Sequence, residues 1–149
     1  MSDLRDLYQQ VIVDHQRKPR NFRRLERPVA TAEGFNPLCG DRVSVELALE
    51  DDVIRDIAFQ GAGCAISVAS ASMMTEALKG RSVAEAGAAF DRFHAMLTGA
   101  EETEAAAALG KLQVFAGVRE FPSRIKCASL PWHALRAALA GRREPVRTE

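Results

Sequence analysis

Two alternating segments separated by three polar residues constrain this chain more than anything else in it. Val43, Val45, Leu47 and Leu49 alternate with Ser44, Glu46 and Ala48, which makes a half-buried strand with one apolar face. After Glu50-Asp51-Asp52, Val53 to Gln60 reads as a second strand with Val53, Ile57 and Phe59 on one face. A connection this short cannot carry a crossover, so the two strands pair antiparallel as a hairpin. Residues 27 to 35 are expected to add an edge strand.

Elsewhere the apolar period is helical. Leu4, Leu7, Tyr8, Val11 and Ile12 follow a Ser2 or Asp3 cap, and this first helix fades near His15 and ends before Pro19. Ile66, Ala69, Met73 and Ala77 mark a helix that stops near Gly80. Ser82 and Glu85 form a capping box ahead of Val83, Ala86, Phe90, Phe93 and Leu97, with Gly99 as the stop. Glu101, Glu102 and Glu104 fit the first turn of a further helix carrying Ala105, Ala108, Leu112 and Phe115. Phe121-Pro122-Ser123 opens the last one, with Ile125, Leu130, Trp132, Leu135 and Leu139 apolar, Gly141 as its stop, and a kink or break expected at Pro131. Between the first helix and the sheet, Arg17, Lys18, Arg20, Arg23, Arg24 and Arg27 face one acid, Glu26, and read as a solvated connection or a docking surface for an acidic partner.

The chain has 149 residues, 47% of them hydrophobic, enough for a single domain over 1–149 whose core needs no disulfide or metal to hold it together. The tail from about residue 142 is expected to fray. Lys plus Arg and Asp plus Glu are 20 each, so no overall field points to nucleic acid or to an anionic membrane. No apolar run approaches the roughly 20 residues of a membrane span, and the charged N-terminus lacks the apolar core of a secretory signal, which leads us to expect a cytoplasmic protein. Cys39, Cys64 and Cys127 are odd in number and far apart, which suits neither a disulfide framework nor the local pairs of a zinc ribbon.

Those cysteines sit at element ends. In Asn36-Pro37-Leu38-Cys39-Gly40-Asp41, Pro37 and Gly40 favour a bent, rigid turn that lets Cys39 and Asp41 face one point. Gly61-Ala62-Gly63-Cys64 turns from strand to helix and leaves Cys64 at a helix N-terminus, where free N–H groups and the helix dipole favour a thiolate. Cys127 falls in the first turns of the final helix. Thiolates with one carboxylate suit zinc, and such a set leaves a doubly negative centre that needs nearby cations. Arg124 and Lys126 are the candidates, with Arg124, three residues before Cys127, on its helix face and Lys126 turned toward partner or solvent. His94 lies on the polar side of a scaffold helix, and His15 and His133 read as surface residues. No histidine looks like a general base paired with a cysteine, which argues against a protease-type thiol enzyme.

Five stretches together carry a resemblance. Residues 7–15 (Leu7-Tyr8-Gln9-Gln10-Val11-Ile12-Val13-Asp14-His15), Pro19-Arg20-Asn21, the 36–41 turn, residues 59–67 around Gly61-Ala62-Gly63-Cys64, and residues 118–127 ending in Arg124-Ile125-Lys126-Cys127 are similar to the U-type iron–sulfur assembly proteins, most closely their SufU branch. The likeness implies an α+β, SufE/IscU-like fold, a small antiparallel three-stranded sheet packed by helices. It implies zinc held by Cys39, Asp41, Cys64 and Cys127, and sulfur accepted from a SufS-type cysteine desulfurase, a histidine of which takes a position on the metal and frees Cys39 as the acceptor thiolate. Downstream cluster-assembly machinery would receive the sulfur. The chain would then be a sulfurtransferase-like partner of the desulfurase and not a stand-alone enzyme. The alternative implied by the related IscU scaffolds is a [2Fe-2S] cluster built on the same four residues. IscU scaffolds have a histidine where this chain has Lys126, and a proline-rich chaperone motif where it has residues 119–124; the extra stretch of about 20 residues after Gly80 is also a SufU feature. These departures favour the carrier role.

Overall fold

The computed structural model describes residues 2–26, 28, 30–37, 40–98, 109–141 and 146–147. The expected hairpin is present as β2 (Asp41–Glu50) and β3 (Val53–Ala62), and β1 (Ala30–Asn36) pairs antiparallel with β2. Asp51 and Asp52 both take positive φ, 54° and 61°, the two-residue turn whose twist matches that of the flanking strands. The inner face differs in one place. A register shift between Ala48 and Leu49 leaves Arg55 unmatched on β3, so the side-chain alternation changes phase there and Ile54, not Val53, is buried with Ile57 and Phe59.

A two-residue strand, β4 (Val146–Arg147), runs parallel to β1 and gives the order β3-β2-β1-β4. Where fraying was expected, Val146 and Arg147 therefore use the open N–H and C=O groups of the β1 edge. Residues 142–145 and 148–149 lie outside the described residues. The opposite edge is also covered. Phe59 N–H donates to Asn21 O at 3.0 Å and Arg23 N–H to Phe59 O at 3.1 Å, while the Phe22 ring meets Phe59 edge-on at 5.2 Å. The basic stretch read as a solvated connection is thus a cap on β3, held further by the Arg23–Asp56 pair at 2.6 Å.

The helices are α1 (Ser2–Arg17), α2 (Ala65–Leu78), α3 (Val83–Thr98), a 3-10 helix (Gly110–Glu120) and α4 (Pro122–Leu139). α4 packs on β1 and β2, α2 packs on β3 and α4, and α1 lies against α2. The reciprocal Ser82–Glu85 bonds of 3.1 and 3.0 Å cap α3 as expected. Trp132 on α4 is fully buried, stacks on Phe93 of α3 at 4.6 Å, and donates its indole N–H to Ser70 Oγ of α2 at 3.2 Å. Burial of a side chain this large is worth about 3–5 kcal/mol against truncation to Ala, so this one residue ties three helices together. Among the described residues no helix is long and apolar enough to cross a membrane.

Two helical expectations change. The expected helix through Leu112 and Phe115 is a 3-10 helix, and its expected start over residues 101–108 lies outside the described residues, as does Gly99. Leu109, Leu112, Phe115 and Val118 are buried at intervals of three, which line up on one face at three residues per turn. α4 runs unbroken through Pro131, whose ring nitrogen carries no N–H for the helical bond to i−4.

His15, expected at the surface, is only 4% exposed. Its Nδ1 lies 2.7 Å from Ser72 Oγ, which also accepts the Arg20 backbone N–H at 2.8 Å, and its Nε2 faces Glu76 at 3.9 Å. Burial, aided by the Arg20 charge, holds the imidazole below its ordinary value. The unfolded chain therefore binds the proton first, and stability contributed by neutral His15 is present above about pH 6.5 and lost as pH falls below it. We expect the urea midpoint to drop between about pH 7.5 and about pH 5.5, with a smaller drop in His15→Gln. His133, half-buried and also depressed by burial, accounts for the part that remains. Equal drops in both proteins would contradict the assignment.

Candidate metal centre

Three elements meet at one end of the sheet. β2 starts at Asp41, which stands opposite Asn36 in the register and is fully buried. The turn between them is closed by Gly40 N–H donating to Asn36 O at 2.8 Å, with Gly40 at φ +72°, a backbone that glycine takes without strain. Cys64 is the N-cap of α2, in extended conformation, and its Sγ accepts the Ser67 N–H at 3.5 Å. Its backbone N–H donates to Asp41 Oδ1 at 2.8 Å, and its thiol faces Oδ2 at 3.6 Å. Cys127, 3% exposed, lies in the second turn of α4, and Asn36 Nδ2 donates to its Sγ at 3.9 Å.

The ligand atoms of Asp41, Cys64 and Cys127 all lie within 4.8 Å of one another. Two donors on one tetrahedral zinc sit about 3.5–4 Å apart, so the group is within about 1 Å of that spacing without any change of backbone. Two thiols and a carboxylate are a donor set that zinc accepts, and the half-buried Cys64 leaves one side open. Cys39 lies outside the described residues, two positions before Asp41 in the chain.

Gly63 makes the arrangement possible. A Cβ there would stand 2.2 Å from Asp41 Oδ1, inside any permitted contact, so only glycine lets the strand-to-helix turn close over the carboxylate. Of the two cations expected nearby, Arg124 is exposed with its guanidinium 4.6 Å from the centre of the Phe121 ring, and Phe121 is itself 46% exposed. Lys126 is half-buried. The sequence pattern did not single out Asn36 as a contact of Cys127. Its only sign was an amide placed just before the Pro37 turn.

This geometry agrees with comparison to known proteins. The family described as NifU-like N terminal domain matches residues 7–139. The chain belongs to that family. It is 44% identical over 139 residues to the iron–sulfur cluster assembly scaffold protein IscU of Streptococcus pyogenes serotype M1, covering 93% of this chain and 86% of the relative. It is 42% identical over 139 residues to the zinc-dependent sulfurtransferase SufU of Bacillus subtilis strain 168, covering 93% of each. Among solved structures, a candidate SUF-system assembly scaffold from Fervidobacterium islandicum AW-1 superposes with a TM-score of 0.82 at 35% identity, covering 87% of this chain and 94% of that one. The α+β fold expected from resemblance is the fold of these relatives.

Replacing Gly63 by Ala should push the Asp41 carboxylate out of the group while leaving the buried core intact. We expect zinc retention, measured by competition with a chromophoric chelator, to weaken by about 10–100-fold with an unchanged far-ultraviolet circular dichroism spectrum. Undiminished retention would mean that Asp41 is not part of the metal set.

Proposed function

We propose that this chain is a zinc-dependent sulfur acceptor and carrier of iron–sulfur cluster assembly, which takes sulfur on Cys39 from a SufS-type cysteine desulfurase and hands it to downstream cluster-assembly machinery. The observation that carries this reading is the meeting of Asp41, Cys64 and Cys127 within 4.8 Å at the end of the turn whose sequence contains Cys39. Cys39, Asp41, Cys64 and Cys127 would hold the ion, and bound zinc supplies thiolate character at neutral pH. Cys64 and Cys127 are fixed by α2 and α4, and Asp41 is fixed by β2 and by the Cys64 N–H. Cys39 falls in the sequence between the last residue of β1 and the first of β2, outside both, so we take it to be the thiolate that leaves at least structural cost.

The transfer is balanced within the two proteins. The Cys39 thiolate attacks the terminal sulfur of the donor's cysteine persulfide, a new S–S bond forms at Cys39, the donor's S–S bond breaks, and the donor cysteine departs as a thiolate. No outside oxidant or reductant is needed. Such a centre carries more anionic ligands than the ion neutralises, and half-buried Lys126, one residue before Cys127, is the cation we assign to it, since Arg124 is exposed on the Phe121 ring. The exposed Arg124–Phe121 pair, six residues or fewer from Cys127, is of the residue types that anchor protein partners.

A second reading is favoured by the 44% identity to a protein named as a scaffold: a [2Fe-2S] cluster assembled as cargo on the same four residues. Lys126, which by the resemblance to IscU scaffolds stands where they have histidine, weighs against it, and colour separates the two, since a zinc protein is colourless.

Cys39→Ser should abolish sulfur acceptance and desulfurase stimulation, a loss of at least about 100-fold, because the nucleophile is gone. Its melting temperature should hold, since Asp41, Cys64 and Cys127 remain to bind zinc. A variant that still stimulates the desulfurase normally would refute the acceptor assignment.

A further inference from the structure

Asn36, the last residue of β1, is fully buried. A buried carboxamide is kept only where its polar atoms find partners, and one of this residue's partners is a sulfur of the candidate metal centre. Its Nδ2 donates to Cys127 Sγ at 3.9 Å, a separation that the large radius of sulfur still permits. Its backbone carbonyl accepts the Gly40 N–H and so closes the turn whose sequence contains Cys39. In the sheet register it stands opposite Asp41. One residue thus joins the turn, the carboxylate strand and the α4 thiol.

Cys64 has a matching contact, the Ser67 N–H directed at its Sγ at 3.5 Å. Each helix-borne sulfur of the group therefore faces a neutral N–H donor. Such donors draw electron density from a thiolate and ease the excess negative charge of a thiolate-rich centre without adding a cation. We propose that Asn36 is a positioning residue of the metal centre, whose carboxamide orients the Cys127 sulfur and moderates its electron donation to the bound ion. The proposal rests on the metal-centre reading given above.

Cobalt(II) substituted for zinc in the purified full chain reports sulfur donation directly, through its near-ultraviolet sulfur-to-cobalt charge-transfer band. Asn36→Leu removes the donor at similar volume, and Asn36→Ala removes it and leaves space. In both variants the unmoderated sulfur should shift the band to longer wavelength, and zinc retention should weaken by about 10-fold or more. A shift common to the two marks the lost hydrogen bond, because their packing differs. Folded variants with the wild-type band and wild-type zinc retention would overturn the role of Asn36 while leaving the centre itself standing. A wild-type protein that takes cobalt with no sulfur-to-cobalt band would overturn the metal-centre reading and this proposal with it.

Discussion

The 2.8 Å hydrogen bond from the Cys64 backbone N–H to the Asp41 carboxylate is the contact on which the functional end of the molecule depends. It joins the first residue of β2 to the N-cap of α2, two points that the chain itself separates by the whole β2–β3 hairpin. The bond satisfies one of the N–H groups that a helix start leaves without an intrahelical partner, and it gives a buried carboxylate the donor that makes its burial tolerable. Gly63 is the condition for it, because any side chain there would occupy the space of the carboxylate oxygen. The same contact sets Cys64 beside Asp41 and leaves α4 to bring Cys127 from the other side.

The rest of the architecture keeps those two helices in register. α2 is buried nearly all round, and its hydroxyls are used as links: Ser70 donates to the Ala128 carbonyl beside Cys127 and accepts from Trp132, while Ser72 and Thr75 receive His15 and the segment after α1. Each link costs about 1–3 kcal/mol if one side is removed and the other left buried, so a helix of small polar residues can specify its neighbours as firmly as an apolar one. The aromatic stack of Trp132, Phe93 and Phe115 fastens α3 and the 3-10 helix to the outer side of α4. The site-bearing ends of α2 and α4 are therefore held from within the core, while Cys64 keeps partial exposure.

What was legible in the sequence was local. The hairpin, the Ser82–Glu85 box and Cys64 at a helix N-terminus follow from spacing and turn chemistry, and each is present. What was not legible depends on residues far apart in the chain. The phase change that buries Ile54 in place of Val53 is decided by the pairing of β3 with β2, and the burial of His15 by α2, neither of which a helix-end or alternation argument can see. The basic stretch reads as solvated by composition, yet its backbone closes one part of the β3 edge, at Phe59, while residues 80–82 close another at Ile54. Arg124 shares a helix face with Cys127 by spacing, but a long side chain can turn away, and here it stacks on Phe121. Asn36 carried no periodic signal at all, because its role lies in a contact with a residue 91 positions away.

We hold the meeting of carboxylate and thiols to be a zinc centre that serves a sulfur-accepting Cys39. Mass spectrometry of the purified protein, before and after incubation with desulfurase and free cysteine, tests it most directly. One zinc per chain and one added sulfur that maps to Cys39 are expected. Iron and sulfide in place of zinc, or the added sulfur on Cys127, would contradict it.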